Sequence, residues 1–434
     1  MKNKFVVGMS LLLAISALSA CGEDKNSNSN NQSESHSYSN SDSSQSDDSS
    51  SGQIKVWCAE NAVNLTKKQL EDFKKENPKL KVSFKVEAQG EGDAASNMVT
   101  DVEAGADIFC FAQDQLARLV SAGALSEVTG ESAKIVKEGN DEESVAAASL
   151  NNKIYAYPLT SDNGYFMYYD KTVVSEDSID SLEEIIKDVK KADKLISYQL
   201  ATDGAWYNAG FFMATGCTSN WKTNNEGQFI SYEDTYNTDK GLVALKGMSK
   251  LITSGVWNNA SSVGEFNSGS AVVISGTWGY NDAVEILGDK LGVTDLPSFT
   301  ISDKEYHINS FYGNKLIGIK PQSDASKAVT CQLVAEYLTG EIAQKERFDE
   351  LSWGPSNIKA QQDDDVLENK ALTALKEQSE FAKLQGQYPG DWWTLAASMG
   401  SSVSSANSDG KVTDEELKNI LSSYESGLDA LLTK

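Results

Sequence analysis

Histidine is almost missing from this chain: there are two in 434 residues, His36 and His307. That scarcity argues against histidine-built metal clusters and histidine general acid–base sites. No HExxH, GxSxG or Walker loop occurs, and "GEGDAA" (90–95) lacks the third glycine of a dinucleotide turn. Carboxylates are plentiful, but at this acidity their abundance does not mark a glycosidase pair. These absences argue against an enzyme, and no metal or cofactor is expected. Basic patches are also missing. The formal net charge is −25, and the run Lys190, Lys191, Lys194 lies among aspartates as a solvated helix face. Such a chain repels phosphates, so nucleic acid is excluded as a partner. Prolines number only six, and no long linker divides the body; two lobes, if present, are joined by strands. None of the five cysteines stands in a CxxC pair. Cys58 and Cys110 lie in apolar, strand-like runs, and Cys58, Cys110, Cys217 and Cys331 read as free thiols although an exported chain permits disulfides.

What is present begins with an address. Lys2 and Lys4 precede an apolar stretch, residues 5–20, that is short for a spanning helix and ends in "LSAC" (18–21). Small residues before a cysteine at that place resemble a bacterial lipobox. The resemblance implies a signal peptide over 1–20, cleavage before Cys21, and lipid on Cys21 that anchors the chain to the extracellular face of the cell membrane; an ordinary signal peptide with a chance cysteine is the alternative. Residues 21–52 follow as a Ser/Asn/Asp-rich tether with one aromatic, Tyr38, and no aliphatic side chain. It cannot bury enough surface to fold, and some thirty flexible residues reach roughly 30 Å.

The body begins near Ile54. Strand-like runs at 53–59, 81–88 and 106–112 alternate with helical patterns at 66–77 and 93–104, which is a sheet with helices on its faces. Further strands are expected at 153–159, 163–171, 270–276 and 291–299. Helices are expected at 181–192, 205–214, 239–253, 325–338, 341–351, 369–380, 391–399 and 413–432. The class is α/β.

Four stretches occur in a telling order: "GADIFCFAQDQLARLVSAGALSEVT" (105–129), "NNKIYAYPLTSDNGYFMYYDK" (151–171), "GEFNSGSAVVISGTWGYNDAV" (264–284) and "LGVTDLPSF" (291–299). With "SDGKVTDEELKNI" near the end, they resemble the maltose-binding group of extracellular solute-binding proteins, the receptors of ABC sugar importers. The resemblance implies two α/β lobes around a cleft, with crossovers near 159–162 and 311–314. The first lobe would be 53–160 plus 312–360, and the second 161–311 plus 361–434. It also implies a monomeric receptor that captures maltooligosaccharides and delivers them to permease subunits. Another oligosaccharide, or polysaccharide capture at the surface without transport, is the alternative.

Sugar rings offer C–H faces to aromatic side chains and hydroxyls to carboxylates and amides. Trp278 matches the family's stacking tryptophan, with Tyr280 beside it; core packing is the alternative for both, and more so for Tyr280. Phe111 and Asp114 match an aromatic and an acidic site, with Gln115 where the family's maltose binder has arginine. Asp162 falls where a longer carboxylate is usual. Trp206 falls on an aromatic site, with Asp203 and Tyr207 close by. Glu60 and Asn61 match a sugar-reaching loop whose lysine is replaced by Ala62. One of Trp392 and Trp393 faces the cleft and the other packs, since neighbours on a helix diverge by about 100°. Trp57, Trp221 and Trp257 read as structural. The stretch 405–416 follows an EF-hand frame, but Ser405 replaces the first aspartate and the family has a turn there, so a turn is expected. The lipobox reading has a direct consequence. Cys21→Ser should leave the precursor unprocessed or release the protein to the medium, as read by membrane fractionation and the mature N-terminus.

Overall fold

The computed structural model describes residues 50–406 and 411–432. The segments read above as signal peptide and tether, with Cys21, lie outside the described residues as far as residue 49, as do 407–410 of the EF-hand frame. No helix among the described residues is long and apolar enough to cross a membrane.

Two five-stranded sheets form the framework. The first has the order Lys81–Ala88, Ser50–Cys58, Ile108–Ala112, Lys315–Ile319, Ala156–Thr160. Its first three strands are parallel, and Lys315–Ile319 runs antiparallel to both its neighbours. Helices Val63–Glu76 and Ala325–Leu338 cover it, with Phe73 edge-on to Tyr337 at 5.4 Å. A strand covered on both faces needs apolar residues throughout, and "IFCFA" at its centre supplies them. The second sheet has the order Trp257–Asn258, Leu195–Ser197, Ser270–Ser275, Phe166–Asp170, Leu291–Thr294. Every residue of Ser270–Ser275 is buried. Helices Ala205–Ala214, Asp239–Ile252, Gly390–Ala406 and Asp414–Leu428 pack together beside this sheet around the larger apolar core.

Local details differ from expectation in several places. The first strand begins at Ser50, inside the segment assigned to the tether, because its pairing with 81–88 continues that far. "LGVTDLPSF" is two strands in different sheets. Leu291–Thr294 joins the second sheet, and after Pro297 the strand Ser298–Ile301 pairs with Lys304–His307. A hairpin of Ser219–Thr223 and Phe229–Asp234 was not expected at all. The four body cysteines are buried and unpaired. In the EF-hand frame, Glu416 is committed to a helix cap: its carboxylate accepts from the Thr413 amide and hydroxyl, both at 2.8 Å.

The chain passes between the sheets at 161–165, again at 311–314, and again after Trp353. These passages bond to one another: Asn163 N–H donates to Gly313 O at 3.0 Å, and Ser161 N–H to Gly354 O at 3.1 Å. Asp162 joins them to the second sheet. Its Oδ2 accepts from Thr277 Oγ1 at 2.5 Å and from Gly354 N–H at 2.7 Å. The fit depends on a missing side chain, since a Cβ on Gly354 would stand 2.8 Å from Asp162 Cβ. Removing the carboxylate leaves a buried hydroxyl and a buried amide without an acceptor. Asp162→Ala should therefore lose about 2–3 kcal/mol of stability, read by urea denaturation.

Candidate functional site

A cleft of about 930 Å³ opens between the sheets and is lined from both sides. From the first sheet's side come Asn61, Glu91, Asp93, Asp114, Gln115, Arg118, Lys315 and Trp353; from the other come Asp203, Trp206, Trp278, Gln385 and Trp393.

Each aromatic side chain is placed by a local device. Trp278 sits in the turn Thr277–Gly279 that ends strand Ser270–Ser275. Its ring folds back over Gly276, where a Cβ would be 2.1 Å from Trp278 Cζ3, so only glycine allows this pose. Trp206 lies in the first turn of helix Ala205–Ala214 and donates its indole N–H to Gln385 Oε1 at 3.0 Å. The two rings stand 6.0 Å apart and tilted by 38°. Trp393 lies near the start of helix Gly390–Ala406, with its Nε1 buried beside the Asp114 carboxyl. Its neighbour Trp392 turns the other way, fully buried, and donates to Tyr424 Oη at 2.9 Å.

The polar side is more constrained. Asp114 is 2 % exposed. Burial pushes its carboxyl up to about 7, against the opposing pull of the Gln115 amide and the Arg118 charge. Gln115 Nε2 donates to Asp114, and Gln115 Oε1 accepts from Arg118 Nη1 at 2.7 Å. The cation missing at position 115 is thus supplied one helical turn later and reaches the carboxylate through an amide. A second cation opens the strand Lys315–Ile319 of the first sheet. Lys315 lies 3.7 Å from the centre of the Trp353 ring and 5.4 Å from that of Trp278.

Of the expected residues, Asn61, Asp114, Asp203, Trp206, Trp278 and Trp393 line the cleft. The others do not. Glu60 points to solvent beside Asn61. Phe111 is fully buried, because its strand lies inside the first sheet and its ring packs on Phe109 and over Gly318. Asp162 is held in the crossover. Tyr207 is buried against Tyr165 and Tyr198. Tyr280 starts helix Tyr280–Leu287 and packs on the small core around Phe166 and Val273. Glu91, Arg118, Lys315, Trp353 and Gln385 carried no signal in sequence; a lysine opening an otherwise apolar strand, "KLIGI", is the one clue in hindsight.

Comparison with known proteins places this architecture. A family model described as bacterial extracellular solute-binding protein matches residues 68–374. The chain belongs to that family. It is 24 % identical over 427 residues to the galactooligosaccharide-binding protein of Bacillus subtilis (strain 168), covering 95 % of this chain and 94 % of the relative. A structure solved with acarbose superposes with a TM-score of 0.75 at 27 % identity, over 87 % of this chain and 99 % of the other. The maltodextrin-binding protein MalE1 of L. casei BL23, solved without ligand, gives a TM-score of 0.72 at 20 % identity, over 87 % and 98 %. The fold is the two-lobed one of these receptors.

The Asp114 carboxyl makes stability pH-dependent. Between its ordinary value of 3.8 and about 7 the folded chain holds a proton that the unfolded chain has released. This contribution is complete below pH 3.8 and is lost as pH rises through 7, with a slope of at most about 1.4 kcal/mol per unit. Asp114→Asn should flatten the fall in stability between pH 5 and pH 7.5, measured by chemical denaturation.

Proposed function

We propose that the cleft binds a neutral oligosaccharide, with maltooligosaccharides as the first choice, and releases it uncleaved. The observation that carries this reading is the meeting of Trp206, Trp278 and Trp393 with Asp114, Asp203 and Asn61 in one cleft. Rings supply flat apolar faces, and carboxylates and amides supply acceptors and donors for hydroxyls at the edge. The cleft volume is at the upper end for small-molecule sites and has room for more than one sugar ring. The acarbose-bound structure and the maltodextrin-binding protein of the same fold support the α-glucan choice. The Bacillus subtilis relative, matched almost end to end, supports galactooligosaccharides as a second reading.

In this proposal the protein is a monomeric receptor, lipid-anchored at Cys21 outside the cell membrane, that hands its sugar to the permease subunits of an ABC importer. The lobes 53–160 plus 312–360 and 161–311 plus 361–434 close on a ligand that touches both, because the closed state gains contacts that the open state lacks.

Calorimetry with maltotriose and with β-1,4-galactotriose separates the two sugars. Saturable binding of maltotriose with no product after prolonged incubation is the expected result; binding of galactotriose alone favours the second reading. Trp278→Ala should weaken binding by the on-the-order-of 1–3 kcal/mol of one large apolar side chain, while Trp257→Ala, outside the cleft, leaves affinity unchanged.

A further inference from the structure

Lys315 is a buried cation whose donors are unused. Its side chain is 7 % exposed, between the indoles of Trp353 and Trp278. An ammonium carries three N–H groups, yet Lys315 Nζ makes no hydrogen bond among the described residues. The nearest carboxylate oxygen, Glu91 Oε1, is 3.9 Å away, which is beyond hydrogen-bond range. Glu91 Oε1 is itself buried with no hydrogen-bond partner. A donor and an acceptor that burial should have forced together are held slightly apart, and both residues line the cleft.

We propose that Lys315 and Glu91 are a specificity-determining pair that reads two neighbouring hydroxyls of the sugar ring lying against Trp278. The ammonium donates to one hydroxyl oxygen, and the carboxylate accepts from the adjacent hydroxyl. A pair of free donor and free acceptor suits a vicinal diol, in which each oxygen both gives and takes a hydrogen. The two charges cancel, so the pair favours a neutral polyol and gives an anionic sugar no advantage. Trp353 has a different task from the other tryptophans. Lys315 lies over its ring, so Trp353 positions the ammonium and is not itself a sugar platform.

The inference rests on the oligosaccharide reading of the cleft, and its test separates the two. Affinities for maltotriose and for a set of monodeoxy maltotrioses are measured by calorimetry on the full chain and on Lys315→Met and Glu91→Gln. Each substitution should weaken maltotriose about 10- to 100-fold, the scale of a hydrogen bond to a charged group. At least one monodeoxy sugar should lose a similar factor with the wild type and less than about 3-fold with Lys315→Met, a selectivity that mere loss of packing would not produce. Glu91→Gln is nearly isosteric and provides an independent arm if Lys315→Met fails to fold. Maltotriose affinity within 3-fold of wild type in the folded variants, or equal deoxy losses in wild type and Lys315→Met, overturns the pair. If the wild type ignores maltotriose but binds β-1,4-galactotriose, the α-glucan choice falls alone, and the same criteria apply to galactotriose and its deoxy forms. If it binds neither, the oligosaccharide reading falls, and the pair's role with it.

Discussion

One carboxylate holds the two sheets in register. Asp162 takes a hydroxyl from the second sheet's side and an amide from the passage at Gly354, while the residues on either side of it bond to the passages at Gly313 and Gly354. The cleft inherits its geometry from this knot. Trp278 follows Thr277 directly, Trp353 precedes Gly354 directly, and Lys315 is two residues beyond Gly313. The side chains at the deep end of the cleft are thus sequence neighbours of the clasp, carried on short backbone segments that the clasp fixes. The carboxylate at this place anchors three chain segments.

Arginine is scarce in this chain, and one of its two arginines lines the cleft. The chain has two arginines, Arg118 and Arg347. Arg118 lines the cleft and reaches Asp114 through Gln115. Arg347 is buried and donates to Gln69 Oε1 and Leu338 O; burial brings it down to about 10. An arginine is chosen where the charge must survive burial, since guanidinium deprotonates with difficulty. Lys315 meets aromatic faces instead, over the Trp353 ring and near that of Trp278. In a chain of net charge −25, Arg118 and Lys315 stand among the acidic residues Glu91, Asp93, Asp114 and Asp203 that gather in the cleft.

The apolar periodicities marked much of the framework. The strand at 81–88 and the helices at 205–214 and 325–338 fall where the sequence put them; the buried positions of 325–338 recur at the helical period, whereas 205–214 is apolar and buried on nearly every side. The split of 291–299 was not legible, because a single apolar run does not say which sheet each half will join. The hairpin at 219–234 carried little apolar signal: burial alternates along Ser219–Thr223, but of its inward positions Ser219, Trp221 and Thr223 only one is a large apolar side chain.

The site divides in the same way. Sequence determined which kinds of side chain the protein has to work with: tryptophans after glycines and at helix starts, carboxylates at strand ends, almost no histidine. Trp206, Trp278 and Trp393 reach the cleft because helix starts and strand ends at the inner edge of a sheet face it. Direction was decided only by the tertiary structure. Phe111 sits one residue before a strand end but inside a sheet covered on both faces, so its ring turns into the core. Asp162 lies between two sheets and is captured by Thr277 and Gly354, which are 115 and 192 residues away in sequence. Lys315 opens a strand and becomes a cleft residue only because Trp353, just before the third passage, and Trp278, at the end of a strand of the second sheet, stand close to it. A side chain's partners at such crossings come from distant parts of the chain, and no local pattern encodes them.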